Sequence, residues 1–132
     1  MSEFGTISRN RLNTCHMDIV KVMEQAIKNG PDFSVVCGHR NQVDQKNAFD
    51  KGLSKVLYPD SKHNAMPSNA VDIVPYPVDW EDLNRFSVLA GYILGTADAM
   101  GIKLRWGGDW DRDYDEGDEK FRDMPHFQLM ES

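Results

Sequence analysis

A small α+β fold built on an antiparallel sheet is predicted from three observations. The chain has 132 residues, about the size of one domain. Its helical and strand-like stretches do not alternate as a doubly wound parallel sheet would require. Those stretches are short, closed by turn residues, and separated by no repeat, low-complexity tract or linker.

Taken in order, apolar residues recur between Ser8 and Asn29 at Leu12, Ile19, Val22, Met23, Ala26 and Ile27, which predicts one helix capped by Ser8 and stopped by Asn29-Gly30-Pro31. Phe33 to Cys37 reads as a buried strand, and Gly38-His39-Arg40 leaves its end, where side chains can point into a site. Residues 42 to 51 predict a second, weaker helix, and Ala70 to Val74 a strand closed by Pro75-Tyr76-Pro77. Asp79 can cap a long helix from Trp80 to Met100. Glu81 and Asp82 then oppose its dipole, and Leu83, Phe86, Leu89, Ala90, Ile93, Leu94 and Ala97 keep the helical period up to Gly101. Ile102 to Trp106 predicts another strand, residues 107 to 122 an acidic loop, and His126 to Met130 the last strand.

The bulk numbers exclude several classes. A net charge of −6 with scattered Lys and Arg argues against nucleic acid as a partner, because phosphate binding needs clustered cations. No apolar run approaches the roughly 18 residues of a membrane span, so no stable membrane association is expected. The start, MSEFGTISRNR, lacks the pattern of a secretory signal, so synthesis and folding in the cytoplasm are expected, as a monomer. Cys15 and Cys37 form no CxxC pair and are read as buried free thiols, with a disulfide between them as the alternative.

The chemistry concentrates in two segments. In SKHNAMPSNAVDIVP an apolar strand carries one carboxylate, Asp72, and the NAMPSN loop can fold it back toward His63. In DMPHFQ, Pro125 favours an extended approach to a strand begun by His126, with Gln128 on the same face and Asp123 just outside. His63, Asp72 and His126 then make three nitrogen and oxygen donors, the number a catalytic zinc keeps while leaving a fourth position to water. Asp123 is left as a general base, and Arg40 can donate to a carbonyl oxygen as it becomes negative. Together they describe amide hydrolysis. Each residue also has a bland reading as a capping or hydrogen-bonded group. His16 belongs to that class; His39 adjoins Arg40 and can reach the same cavity.

Residues 109 to 119, DWDRDYDEGDE, hold seven carboxylates. Asp111, Asp113 and Asp115 alternate as in a calcium loop, but Gly117 falls one place late and Arg122 stands where a Glu belongs. A solvated acidic loop is expected, with Ca2+ binding as the alternative. Trp106 is expected in the core, and Trp110 either there or in the wall of a peptide cleft.

Taken together, SKH…AVDIVP, WGGDW and DMPHF resemble the VanY-like D-alanyl-D-alanine carboxypeptidase family of zinc peptidases, in particular its L-alanyl-D-glutamate endopeptidase and phage endolysin branch. DFSVVCGHRNQVDQ is similar to the family segment in which a strand ends in Gly-x-Arg followed by a Gln. The resemblance implies the peptidase fold of that family over residues 1–132, with a zinc site at the sheet and no separate wall-binding module. It implies Zn2+ ligands His63, Asp72 and His126, Asp123 as catalytic base, and Arg40 as transition-state stabiliser, with Ser61 and Gln45 lining the site. The implied reaction is hydrolysis of the L-alanyl-D-glutamate bond of the peptidoglycan stem peptide, on a cell wall reached after release from the cell. Two alternatives stay open: a D-alanyl-D-alanine carboxypeptidase or dipeptidase, and a catalytically silent binding protein. Ser68 departs from the family, standing where a Gly is common.

Overall fold

The computed structural model describes residues 3–108 and 123–130. Four strands, β1 (Phe33–Cys37), β2 (Ala70–Pro75), β3 (Leu104–Gly107) and β4 (Asp123–Leu129), form one antiparallel sheet in the order β1-β2-β4-β3. Among the described residues four α-helices accompany it: α1 (Thr6–Leu12), α2 (Met17–Asn29), α3 (Gln42–Asp50) and α4 (Leu83–Ala99). The α+β prediction with an antiparallel sheet therefore holds.

Side chains alternate across the sheet, and that alternation divides the molecule in two. Phe33, Val35, Val71, Ile73, Leu104, Trp106 and Phe127 face α1, α2 and α4 and join Leu12, Ile19, Val22, Met23, Leu89 and Ile93 in the core. Asp72 and His126 are paired across β2 and β4 and point the other way, under the segment between β1 and β2. Strand β2 is buried along its whole length, because helices cover one face and this segment covers the other. That double burial explains why AVDIVP is apolar except for one carboxylate.

Several boundaries differ from the sequence reading. The single helix expected from Ser8 to Asn29 is two helices. After Leu12 the chain turns through Asn13 and Thr14, and Cys15 forms a parallel bridge with Ser68, so Cys15 is not helical. His16 caps α2, its Nδ1 accepting from the Asp18 N–H at 3.0 Å. Ser8 is inside α1, where its Oγ accepts from the Val35 N–H at 3.0 Å and ties α1 to β1; Gly5 is the cap. Helix α4 starts at Leu83 with Asp82 as its cap, because Asp79 instead closes a turn on the Glu81 N–H. Strand β4 begins at Asp123, so Asp123 lies in the strand and pairs with Gly107. The thiols of Cys15 and Cys37 are free. The acidic stretch 109 to 119 and Trp110 lie outside the described residues.

Two glycines permit close approaches that set the site. At Gly38 a Cβ would meet the Thr14 Oγ1 and the Arg11 carbonyl, and at Gly107 it would meet the Asp123 carbonyl. A side chain at Gly107 would force β3 away from the start of β4. Gly91, by contrast, is exposed within α4, and its Cβ would meet nothing. Gly107→Ala should destabilise the protein by about 1–3 kcal/mol through overpacking, while Gly91→Ala should stabilise it by about 0.5–1 kcal/mol. Urea midpoints at constant slope check both signs.

Candidate active site

Three segments bring three atoms together. His63 stands on a short 3-10 turn, Lys62–Asn64, which Ser61 caps by accepting from the His63 N–H at 3.2 Å. Asp72 and His126 are opposite each other on β2 and β4. His63 Nε2 is 3.2 Å from Asp72 Oδ1 and 3.2 Å from His126 Nδ1, and His126 Nδ1 is 3.2 Å from Asp72 Oδ1. All three residues are buried.

The tautomers follow from the outer partners. His63 Nδ1–H donates to the Gly38 carbonyl at 2.7 Å, and His126 Nε2–H donates to Gln128 Oε1 at 2.8 Å. Each imidazole therefore presents a lone pair inward, toward a carboxylate oxygen that also only accepts. Three acceptors in contact need a positive species between them. A point equidistant from three atoms 3.2 Å apart, at the centre of the tetrahedron they begin, lies about 2.0 Å from each, a metal–nitrogen or metal–oxygen bond length. The donor set thus fits a small divalent cation with one open position. Cys37, His63 and Asp72 also fall within metal-binding distance of one another. That grouping is the poorer one, because Cys37 Sγ meets His63 at Nδ1, 3.9 Å away, the nitrogen already committed to Gly38.

Asp123 closes a second such group with Asp72 and His126. It lines a cleft of about 290 Å³ together with Arg40, Ser61, His63, His126 and Gln128. A larger groove of about 650 Å³ lies between α2 and α4, but no Asp, Glu, His, Cys, Lys or Arg lines it, so the titratable groups gather at the smaller cleft.

Arg40 is pinned from several sides. Its Nη2 donates to Asp72 Oδ2 at 3.2 Å and its Nη1 to Gln45 Oε1 at 3.2 Å, while its backbone N–H donates to the His63 carbonyl at 2.8 Å. Gln45 is fully buried and acts as a hub. Its Nε2 donates to Ser54 Oγ and to the Val56 carbonyl, and its Oε1 also accepts from Asn64 Nδ2. Gln45 therefore sits behind Arg40 and not on the cleft wall that the sequence reading gave it. His39 turns away, its Nδ1 2.9 Å from the Ala65 carbonyl. Ser68 is buried and bonded to the Ala70 backbone, which gives this departure from the family pattern a local structural role. Sequence reasoning assigned no role to Gln128, Asn64 or the Gly38 carbonyl. Only Gln128 carried a signal, standing two residues from His126 on one strand face.

The electrostatics match the geometry. Burial works against a charge on His63, but the hydrogen bonds and charge of Asp72, with Cys37 behind them, raise its pKa from 6.5 to about 10. Burial likewise opposes ionisation of Asp72, yet in the metal-free protein, where an imidazole can turn a proton inward, hydrogen bonding with His126 and His63 wins and holds its carboxyl well below the usual range. Asp123 is raised, first by burial and then by the Asp72 charge, with His126, His63 and Arg40 pulling the other way. Burial pushes the Cys15 thiol up to about 12.

Comparison with known proteins follows the same lines. The pattern of the phage L-alanyl-D-glutamate peptidase family matches residues 1–130. The chain is 32% identical to the L-alanyl-D-glutamate peptidase of Escherichia phage T5 over 97% of its own length and 98% of that protein. It is similar in structure to the Serratia marcescens L-Ala D-Glu endopeptidase ChiX, with a TM-score of 0.76 and 31% identity over 96% of this chain and 89% of the other.

Metal-free protein carries a testable consequence of the raised His63. A folded pKa above the unfolded value contributes stability that is complete below the unfolded pKa and is lost as pH rises through the folded one. In the presence of a chelator, stability should therefore decline between pH 6.5 and about 10. Urea midpoints across that range should show the slope, and His63→Gln should flatten it.

Proposed function

Since the chain belongs to the phage L-alanyl-D-glutamate peptidase family, we propose that it hydrolyses the L-alanyl-D-glutamate bond of the peptidoglycan stem peptide, with zinc held by His63, Asp72 and His126. The observation that carries this reading is the triangle of three inward-facing acceptors, 3.2 Å on each side, in a cleft that also holds Asp123 and Arg40. Two imidazoles and one carboxylate suit zinc in particular, and they leave the bound cation with net positive charge.

A zinc ion held by His63, Asp72 and His126 would supply a Lewis acid and would lower the pKa of a water molecule toward about 7. The protein's own groups do the rest. Asp123 takes a proton from the attacking water as its oxygen bonds to the alanyl carbonyl carbon, and a carboxyl raised by burial is the better base for it. Arg40 spends two of its N–H groups on Asp72 and Gln45 and has others to donate to the carbonyl oxygen as it gains negative charge. When the C–N bond breaks, Asp123 returns the proton to the departing glutamyl nitrogen. The second proton of that water passes from the new carboxyl group to the amine, so the products are an alanyl carboxylate and a glutamyl ammonium.

Gln45, Asn64 and Ser61 act on positions rather than on substrate in this scheme. Gln45 and Asn64 fix Arg40, and Ser61 fixes the turn that aims His63. No helix among the described residues is long and apolar enough to cross a membrane. A monomeric single-domain enzyme is the simplest form of the proposal.

Purified peptidoglycan treated with and without chelator, followed by identification of the new ends, tests the reaction. New alanyl carboxyl and glutamyl amino ends that vanish with chelation and return with added zinc are expected; released D-alanine would overturn the bond assignment. Asp72→Ala and His126→Ala should lose bound metal, measured by elemental analysis. Asp123→Ala should retain metal and lose turnover by about 10²–10⁴-fold. Gln128→Ala should retain the fold and weaken metal affinity by about 10–100-fold, since it removes the partner that orients His126.

A further inference from the structure

Arg105 is a cation that the scheme above does not use. It stands on β3 opposite Gln128 of β4, and residues directly opposite in an antiparallel pair project to the same face. Their neighbours Trp106 and Phe127 are stacked in the core, with ring centroids 6.5 Å apart. Arg105 and Gln128 therefore face away from the helices, onto the sheet face that holds Asp72 and His126. Gln128 lines the cleft and touches His126.

The Arg105 side chain is short of partners. The residue is half-buried, its Nε is shielded from solvent without a hydrogen-bond partner, and among the described residues it forms no ion pair. A guanidinium partly withdrawn from water, with no carboxylate beside it among the described residues, is costly, and that cost is relieved when an anion binds. Two other cations at the cleft, Lys55 and Lys62, already have interactions of their own, and Arg40 is bonded to Asp72.

The substrate supplies an anion in the right place, if the scissile bond joins L-Ala to D-Glu as proposed above. Glutamate has two carboxyl groups, and the continuing peptide can use only one. The other remains, as a carboxylate or as its amide, within a few bonds of the scissile nitrogen. Along β4, His126 and Gln128 are about 7 Å apart, and β3 is about 5 Å to the side, which puts the Arg105 Cα about 8 Å from that of His126. An arginine side chain covers much of that distance, and the bonds between the scissile nitrogen and the free carboxyl cover the remainder.

We propose that Arg105 binds the free carboxylate of the glutamyl residue and so selects stem peptides in which that group is not amidated. The interaction is a charge-assisted pair in a partly buried place, where a guanidinium gives direction as well as charge.

The test compares two synthetic L-Ala-D-Glu peptides, identical except that the free glutamyl carboxyl is amidated in one. Wild-type enzyme should favour the carboxylate peptide by at least tenfold in kcat/KM. Arg105→Gln should bring the ratio of the two close to one, and Arg105→Lys should keep part of it. A wild-type ratio near one, or an equal fall on both peptides in Arg105→Gln, would overturn the assignment while leaving the proposed reaction intact. Should Arg105→Gln fail to fold, the wild-type ratio together with Arg105→Lys decides. Absence of cleavage between L-Ala and D-Glu in both peptides would instead defeat the proposed function, and this inference with it.

Discussion

Two imidazole nitrogens and a carboxylate oxygen do not stay 3.2 Å apart unless something positive, a proton or a metal cation, stands among them, and most of the surrounding structure follows from that constraint. The outer nitrogen of each imidazole has to be a donor, so each needs an acceptor beyond it. Gly38 supplies a backbone carbonyl to His63, and Gln128 supplies its amide oxygen to His126. The second oxygen of Asp72 needs a cation too, and Arg40 meets it. Burial then sharpens each interaction, because a charge shielded from water is stabilised only by its partners. The raised His63 and lowered Asp72 are two views of this one interaction.

The scaffold divides rigidity from shape. Asp72 and His126 sit on adjacent strands at the centre of the sheet, their backbones paired and their far sides packed against the helices. His63 arrives from the segment over the opposite face, and the cross-links that hold that segment together are polar. The Arg40 N–H bonds the His63 carbonyl, Asn64 bonds the Arg40 carbonyl, and Gln45 gathers Arg40, Asn64, Ser54 and Val56. A buried network of this kind is stable only while every member is paired. Gln45 accordingly stands behind Arg40, fully buried and away from the cleft wall.

Periodicity in the sequence identified the elements whose burial is one-sided and regular: α2, the body of α4, β1 and β2 all fall where the apolar pattern put them. It failed where two structures share one pattern. Leu12 and Ile19 are seven residues apart, a spacing a continuous helix would also place on one face, so the turn at Asn13 and Thr14 stayed hidden. His16, an uncommon cap, gave no warning of a new start. Asp79 and Asp82 both suit a helix cap, and only the tertiary fold chooses between them. Pro125 read as a turn before a strand, whereas β4 already begins at Asp123 because β3 pairs with it through Gly107. In the site, the inward-facing residue types were legible from their chemistry and their motifs. The Gly38 carbonyl was not, since a backbone acceptor leaves no trace in the residue alphabet. The inward burial of Gln45 was equally invisible, since a glutamine in a weak helix gives no sign of whether it points out or in.

No two of the three inward-facing residues are neighbours in the chain: His63 lies on a turn, and Asp72 and His126 on strands more than fifty residues apart. No local segment can hold such a set, so the geometry exists only when β2, β4 and the covering segment are all in place. A cation that binds the assembled triangle binds the folded chain in preference to the unfolded one, and it stabilises the fold by the same free energy. The charge it brings also replaces the proton that His63 otherwise retains, so folding, protonation and metal binding draw on a single cluster of acceptors. The central strands hold Asp72 and His126 fixed, whereas His63 depends on the turn that Ser61 caps, so of the three inward-facing atoms only the one from the covering segment moves if that segment varies.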